Sequence, residues 1–590
     1  MVDAAAMSRS ASFDDVASVE SSVEGDSLDD SLASSFYGRF ERGVKGMQKV
    51  FRWPLLVVVF AIITCELILY FTLRLCISVW ETVSNLADGK RGKLLNALDN
   101  AESYEEWRRN AMALDVACDH DFYKTIDRSP FYDYKTVKSI TNKLAAACNT
   151  LASGEPSKAS MDKLEQLLCR AYNANAAGLG VDNERLYAET FSGTKLALQR
   201  YYDVSVEATD KYVAAKNVPL TQKLDFVRRA KASYGRTALC LSSGGSMAYY
   251  HFGVAKALLE CQLLPTIICG SSGGALVAAI IGCRTDEEVQ SILTPDFCTL
   301  LTPCCESWKT LINRYLRTGR VFHEKLWRDM LRPLVFKDMT FLEAYQKTGR
   351  ILNITCTSEN KWGAPIILNY ITAPNVVIWC AVLASSGIPP LLPAITLLAK
   401  NRDGKLEHFM DFGKCWSDGA LKNDIPARQL AEQFNVNFLV VSQVNPHIVP
   451  FVYECRGSSG RPIMRTGGSS LRGGFFSSAA EAFLKLEMRK WLRMISELDL
   501  MPMLFSQDWS VLFLQKHWGN VTIYPSRGWG VFRDIVTCVS DPDRQRMEHY
   551  LRQGEQATYP KISMVSNHLV LEQTLNNAEK LLLESQKASS

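Results

Sequence analysis

A strand-like run, Pro265-Thr-Ile-Ile-Cys269, enters Gly270-Ser271-Ser272-Gly273-Gly274 and leaves through the apolar, helix-like Gly274–Ile281. A GxSxG turn in that setting constrains the chain more than any other feature, because it requires a strand and a helix to meet at a sharp bend. The bend is tight and its central serine strained, so small residues are needed at Gly270, Gly273 and Gly274. The helix N-terminus beyond it stabilises negative charge as it develops. Ser272 is therefore the candidate nucleophile. The motif also arises by chance in Ser/Gly-rich loops, so its weight comes from the strand–turn–helix context.

A second glycine-containing turn lies about thirty residues upstream, where Thr237–Leu241 runs into Ser242-Ser-Gly-Gly-Ser-Met-Ala-Tyr-Tyr-His251-Phe-Gly253. Free N–H groups at such a turn attract an anion, and in acyl transfer those of Gly244, Gly245 and Ser246 would form an oxyanion hole. A nucleotide-phosphate loop is disfavoured, since neither GK[ST] nor GxGxxG spacing follows. A third piece is Trp416-Ser-Asp418-Gly419-Ala420. A serine hydroxyl needs a base, and Asp418 would serve directly if the side chains meet; alone, an Asp-Gly pair is simply a turn. His447 follows in the order of a Ser-Asp-His triad, but order is weak evidence, and a carboxylate ionised at neutral pH does not require imidazole.

In these motifs taken together, the chain resembles the patatin-like phospholipase domain family, and within it the intracellular triacylglycerol lipases of oil bodies and lipid droplets. The likeness covers roughly residues 95–530. It rests on Gly193-Thr-Lys195, the turn with His251-Phe-Gly253, the 270–274 elbow, Thr340-Phe-Leu-Glu-Ala-Tyr345, Arg350-Ile-Leu-Asn-Ile-Thr355, Asn369-Tyr-Ile-Thr-Ala-Pro-Asn375 and Phe434-Asn-Val-Asn437. The resemblance implies an α/β fold, a patatin-like three-layer sandwich with a largely parallel central sheet. It also implies a Ser272–Asp418 dyad acting on acyl esters of glycerolipids, triacylglycerol first, with phospholipase A or lysophospholipase activity or a catalytically weak lipid-surface protein as alternatives. Two glycines usual in relatives are replaced by Ser243 and Ala248. No histidine is followed by Asp five positions on, so acyltransferase activity is not carried over. Neither a cofactor nor a metal is expected: Cys298, Cys304 and Cys305 lack ligand spacing.

The texture along the chain agrees with an α/β sandwich. Short runs at Thr237–Leu241, Thr266–Cys269, Ile351–Thr355, Pro365–Asn369 and Phe438–Val441 alternate with helical stretches. The expected organisation is a disordered acidic Ser-rich tail at 1–35, a membrane-associating segment at 53–80, a helical module at 95–235, a catalytic domain at 236–450 and a C-terminal extension with amphipathic helices at 451–590. Trp53–Trp80 is nearly all hydrocarbon, broken by Glu66 and Arg74. As a helix it would reach about 42 Å, enough for a bilayer. Basic residues on both sides leave open whether it spans or lies embedded in one layer.

With 66 basic and 62 acidic side chains the net charge is +4, which gives no overall signature for nucleic acid. The 17 cysteines contain no CxxC pair and fit a reducing compartment. Together with the resemblance, this implies a membrane-associated protein facing the cytosol at lipid droplets or endoplasmic reticulum. Two further stretches stay open. Gly387–Leu398 is either a lipid-facing lip or a Pro-broken core segment, and the basic run Arg456–Arg472 is a solvated loop or an anionic-lipid site.

Overall fold

The computed structural model describes residues 27–589, apart from 88, 154–156, 302–307, 359–364, 389–390, 450–458, 461–474, 499, 501–514 and 526–529. Among the described residues the strands are β1 Arg236–Leu241, β2 Ile267–Gly270, β3 Ile351–Ser358, β4 Pro365–Leu368, β5 Leu398–Lys400, β6 Leu406–His408, β7 Trp416–Asp418, β8 Val436–Ser442 and β9 Val521–Ile523. Seven form one sheet in the order β4-β3-β2-β1-β8-β9, with β7 also paired to β3; β5 and β6 make a separate ribbon. The pairs β1–β2, β1–β8, β2–β3 and β8–β9 are parallel, while β4 and β7 run antiparallel to β3.

Strands buried on both faces read as continuous apolar runs, which is why no polar alternation marks β1 or β2. Their side chains divide between two cores. Leu239, Leu241 and Ile268 enter the larger one, with the helices Tyr250–Glu260 and Gly273–Gly282 and the C-terminal helix Arg544–Ser589. Ala238, Cys240, Ile267 and Cys269 enter the smaller one, against Leu430 and Phe434 of the helix Ala427–Phe434. The result is the three-layer α/β sandwich with a mostly parallel sheet. The larger core also takes in Leu164, Leu168, Tyr201 and Phe226 of the N-terminal helical module, so the change of texture near residue 235 does not divide the hydrophobic interior.

One edge of β3 carries two strands in succession. β2 pairs with Ile351–Ile354, ending at Gly270 opposite Ile354, and β7 pairs with Cys356–Ser358, placing Asp418 opposite Cys356. Since β4 occupies Ile354–Thr357 on the other edge, β7 must continue the line of β2. The short β7 is not legible as a strand from three residues of sequence; its partner strand defines it.

One expectation needs adjustment, and one open alternative is decided. The acidic tail expected at 1–35 gives way at Ser27 to a helix, Ser27–Ala87; residues 1–26 lie outside those described. In Gly387–Leu398, the side chains of Leu392, Ile395 and Leu397 are buried. Trp416 and Ile395 exchange backbone hydrogen bonds of 2.8 Å, and Gly387 O accepts the Asp418 N–H at 3.1 Å. This segment buttresses β7. The basic run Arg456–Arg472 lies outside the described residues except for Ser459 and Gly460.

Candidate active site

Ser272 sits between β2 and the helix Gly273–Gly282 with φ 51° and ψ −122°, a conformation disfavoured for an L-residue. The surroundings hold it there. Its N–H donates to Ser385 Oγ at 2.9 Å, and that hydroxyl donates to Thr355 O of β3 at 2.7 Å. Gly270 and Gly274 face one another across the turn so closely that a side chain on Gly270 would strike the Gly274 carbonyl. A Cβ on Gly273 would come within 2.6 Å of Gly245 O and 2.9 Å of Ala248 Cβ. The elbow therefore rests directly on the upstream turn, and a small residue at 248 is part of that contact.

Asp418 ends β7 and is fully buried. Its Oδ1 accepts the Ala420 N–H at 2.7 Å across Gly419. Oδ2 has no bond of full hydrogen-bond geometry, although the Ser272 hydroxyl lies close enough to favour the charged form. Burial pushes the Asp418 carboxyl up to about 7, opposed by the Ala420 N–H and the Ser272 hydroxyl and reinforced by the charge of Asp424. Gly419 packs its backbone on Thr355 of β3, leaving no room for a side chain.

In the upstream turn, Gly245 has φ 60° and its N–H, like that of Gly244, donates to no acceptor among the described residues. Ser246 differs, and here the expected set of three oxyanion donors is corrected. Its N–H donates to Cys538 O at 2.8 Å and its hydroxyl to Thr537 O at 3.0 Å, because the C-terminal extension packs over the turn.

Several polar groups that the motifs did not single out complete the arrangement. Asp424 Oδ1 accepts the Ser243 N–H at 2.9 Å and its Oδ2 accepts Asn445 Nδ2 at 2.7 Å. Ser243 Oγ in turn donates to Asn445 Oδ1, giving the unusual serine at this position a defined use. Gln515 Oε1 accepts the Asp424 N–H at 3.0 Å. The only sequence signal for this network was the run Asn423-Asp-Ile-Pro426 beside the Asp-Gly turn, and nothing in it indicates partners far along the chain. His251 is buried, its Nε2–H donating to Ser242 O at 3.0 Å while Nδ1 accepts from Ser442 Oγ at 2.7 Å. Burial lowers it to about 4, so it is a neutral brace for the turn. His447 packs edge-on against His517, with ring centroids 5.7 Å apart, and burial next to that ring lowers it to about 3. Among the described residues no cluster of His, Cys, Asp and Glu has metal-binding geometry.

Residues 239–431 match the patatin-like phospholipase family, and residues 84–232 match a domain of unknown function, DUF3336. A patatin-like phospholipase domain-containing protein of Aspergillus clavatus is 40% identical over 532 residues, covering 89% of this chain and 74% of the relative. One from Pyricularia oryzae is 39% identical over 542 residues, covering 90% of this chain and 68% of the relative. The chain belongs to the patatin-like phospholipase domain-containing family. Among solved structures, VipD from Legionella pneumophila aligns over 57% of this chain and 67% of its own, at 12% identity and a TM-score of 0.26, values that carry no argument.

Proposed function

We propose that the protein is a serine lipid acyl hydrolase whose preferred substrates are neutral glycerides, triacylglycerol first. What supports this reading is the strained Ser272 beside a buried carboxyl that titrates near neutrality. Ionised Asp418 accepts the Ser272 proton as Oγ attacks the ester carbonyl. The N–H groups of Gly244 and Gly245 receive the oxyanion, each such donor contributing about 3 kcal/mol to the transition state. The proton passes to the leaving alcohol, and an acyl-Ser272 ester remains. Water then attacks that ester with Asp418 again as base, releasing fatty acid and restoring the serine.

The apolar stretch Arg52–Trp80 is the one helix among the described residues long and apolar enough to cross a membrane, and it supports association with a lipid surface. Among the described residues no cysteine is joined in a disulfide, which supports a face turned to the cytosol, at lipid droplets or endoplasmic reticulum.

The test is labelling of the purified protein with a fluorophosphonate probe, followed by fatty-acid release from triacylglycerol, diacylglycerol and phosphatidylcholine offered side by side. Labelling should vanish in Ser272→Ala, and the neutral glycerides should be hydrolysed fastest. Labelling that persists in Ser272→Ala removes the nucleophile assignment. A strong preference for phosphatidylcholine replaces the lipase reading with a phospholipase one, and absence of both labelling and release leaves a non-catalytic lipid-surface protein.

A further inference from the structure

Three charged residues interrupt the apolar stretch Arg52–Trp80: Arg52, Glu66 and Arg74. All three meet the same partner, the amphipathic helix Phe475–Glu497 and the residues just after it. Arg52 Nε donates to Leu500 O at 2.8 Å, Trp491 Nε1 donates to Glu66 Oε1 at 3.1 Å, and Arg74 lies 3.9 Å from Glu481. As one number rises the other falls, so the two helices run antiparallel along most of the apolar stretch. Leu56, Val59 and Ile63 fill the space between these contacts against Trp491, Leu492, Ile495 and Leu500, in a hydrophobic cluster separate from the catalytic cores. The surface turned away from this seam carries no charge; Val57, Ile68 and Val79 on it are each more than half exposed.

The charges of the partner decide how such a pair can sit in lipid. Lys490 and Arg493 are 54% and 72% exposed, and they flank Trp491, which is level with Glu66 near the middle of the apolar stretch. Were that stretch to cross a bilayer with its partner in place, both cations would lie at the depth of the hydrocarbon centre, where basic side chains are strongly disfavoured. Lying flat removes the conflict. The uncharged face enters the acyl chains while Lys490 and Arg493 stay among headgroups and water. The 29 residues would extend about 43 Å in that plane, longer than the roughly 30 Å a crossing requires. Phe532 lies beside this face, its ring 6.2 Å from that of Phe71.

We infer that these two helices lie as a pair in the plane of a single phospholipid leaflet, the Arg52–Trp80 stretch supplying the lipid-binding face and neither helix crossing it. This rests on the membrane association proposed above and specifies its geometry. It keeps the segment before Arg52 on the same side of the membrane as Ser272.

The full chain, tagged at both ends, is synthesised with sealed microsomes, floated on a density gradient, and treated with protease before and after detergent. Flotation with the two tags sharing one fate is expected. One tag digested and the other protected shows a span and overturns the inference while leaving membrane association intact; failure to float overturns the association itself. Paired substitutions Val57→Glu and Ile68→Glu, away from the catalytic groups, should lower binding to phosphatidylcholine–phosphatidylserine vesicles about tenfold with soluble-ester hydrolysis unchanged. Undiminished binding overturns the assignment of this face to lipid. A stable dimer in buffer that does not bind vesicles assigns the face to a second copy of the chain, against the inference.

Discussion

The Asp424 carboxylate accepts the N–H of Ser243 at 2.9 Å, tying the segment after the Asp-Gly turn to the start of the glycine-rich turn. Its other oxygen holds Asn445, which receives the Ser243 hydroxyl. Asp424→Ala strands a buried N–H and an amide, and should destabilise the protein by about 1–3 kcal/mol. In protein that remains folded, kcat on a soluble ester should fall about tenfold as the turn loosens. Asp424→Asn, which keeps an acceptor for Ser243, should recover part of the activity. Urea unfolding and steady-state kinetics on both variants check this, and an Asp424→Ala enzyme with wild-type kcat would separate the network from the turn.

Asp418 gives a pH dependence with a defined sign. With the carboxyl at about 7, kcat/KM should rise through neutrality and level off above about pH 8, since only the ionised form accepts the serine proton. Stability should run the other way. The folded chain holds this proton more tightly than the unfolded chain, whose aspartates titrate near about 3.9, so stability contributed by the protonated group is complete below that value and lost as pH rises to about 7. Asp424, raised by burial to about 6, adds in the same direction. Asp418→Asn should therefore abolish hydrolysis and, at pH 8, stabilise the fold on the order of 2 kcal/mol by thermal unfolding.

His447 is a control for the dyad. Burial lowers it to about 3, its described ring contact is His517, and it does not figure among the groups acting on Asp418. His447→Ala, in folded protein, should keep at least about a third of wild-type kcat, whereas Ser272→Ala should lose essentially all of it. A His447 variant as inactive as Ser272→Ala would show that imidazole is required.

Gly245 and Ser246 are adjacent but should respond differently. Gly245→Ala forces a side chain onto a backbone at φ 60° and against Cys538 O, and should cost about 1–3 kcal/mol and about a hundredfold in kcat. Ser246→Ala keeps its backbone bond to Cys538 and loses only the hydroxyl bond to Thr537, so kcat should stay within about threefold of wild type. Equal losses in both would return Ser246 to the oxyanion donors.

What could be read from the sequence was local. β1, β2, β3, β4 and β8 all lie where β-branched and Leu-rich runs mark them, and the bend at 270–274 announces itself because close packing admits only small residues there. What escaped was non-local. β7 is three residues long and exists through pairing with β3, and Asp424, Ser385 and Gln515 find partners about 90 to 180 residues away. Loss of Ser246 as a donor depends on Cys538, almost 300 residues downstream, which no pattern around the turn reveals. The charged residues in Arg52–Trp80 read as flaws in a spanning segment; beside the helix Phe475–Glu497 they are the points of attachment.

Because β2 and β7 occupy consecutive stretches of one edge of β3, Ser272 and Asp418 are indexed to the same rail. Their separation is set by the repeat of a single strand and not by the length of chain that joins them. Intervening stretches apart from β3, Ser385 and the Gly387–Leu398 buttress, such as the helix Trp308–Thr318, are thereby free to lengthen, shorten or reshape without moving the two side chains relative to each other. On the proposed function, substrate range and chemical competence then drift independently, and a graft at the helix Trp308–Thr318 is where a change of selectivity would leave the proposed catalytic step untouched.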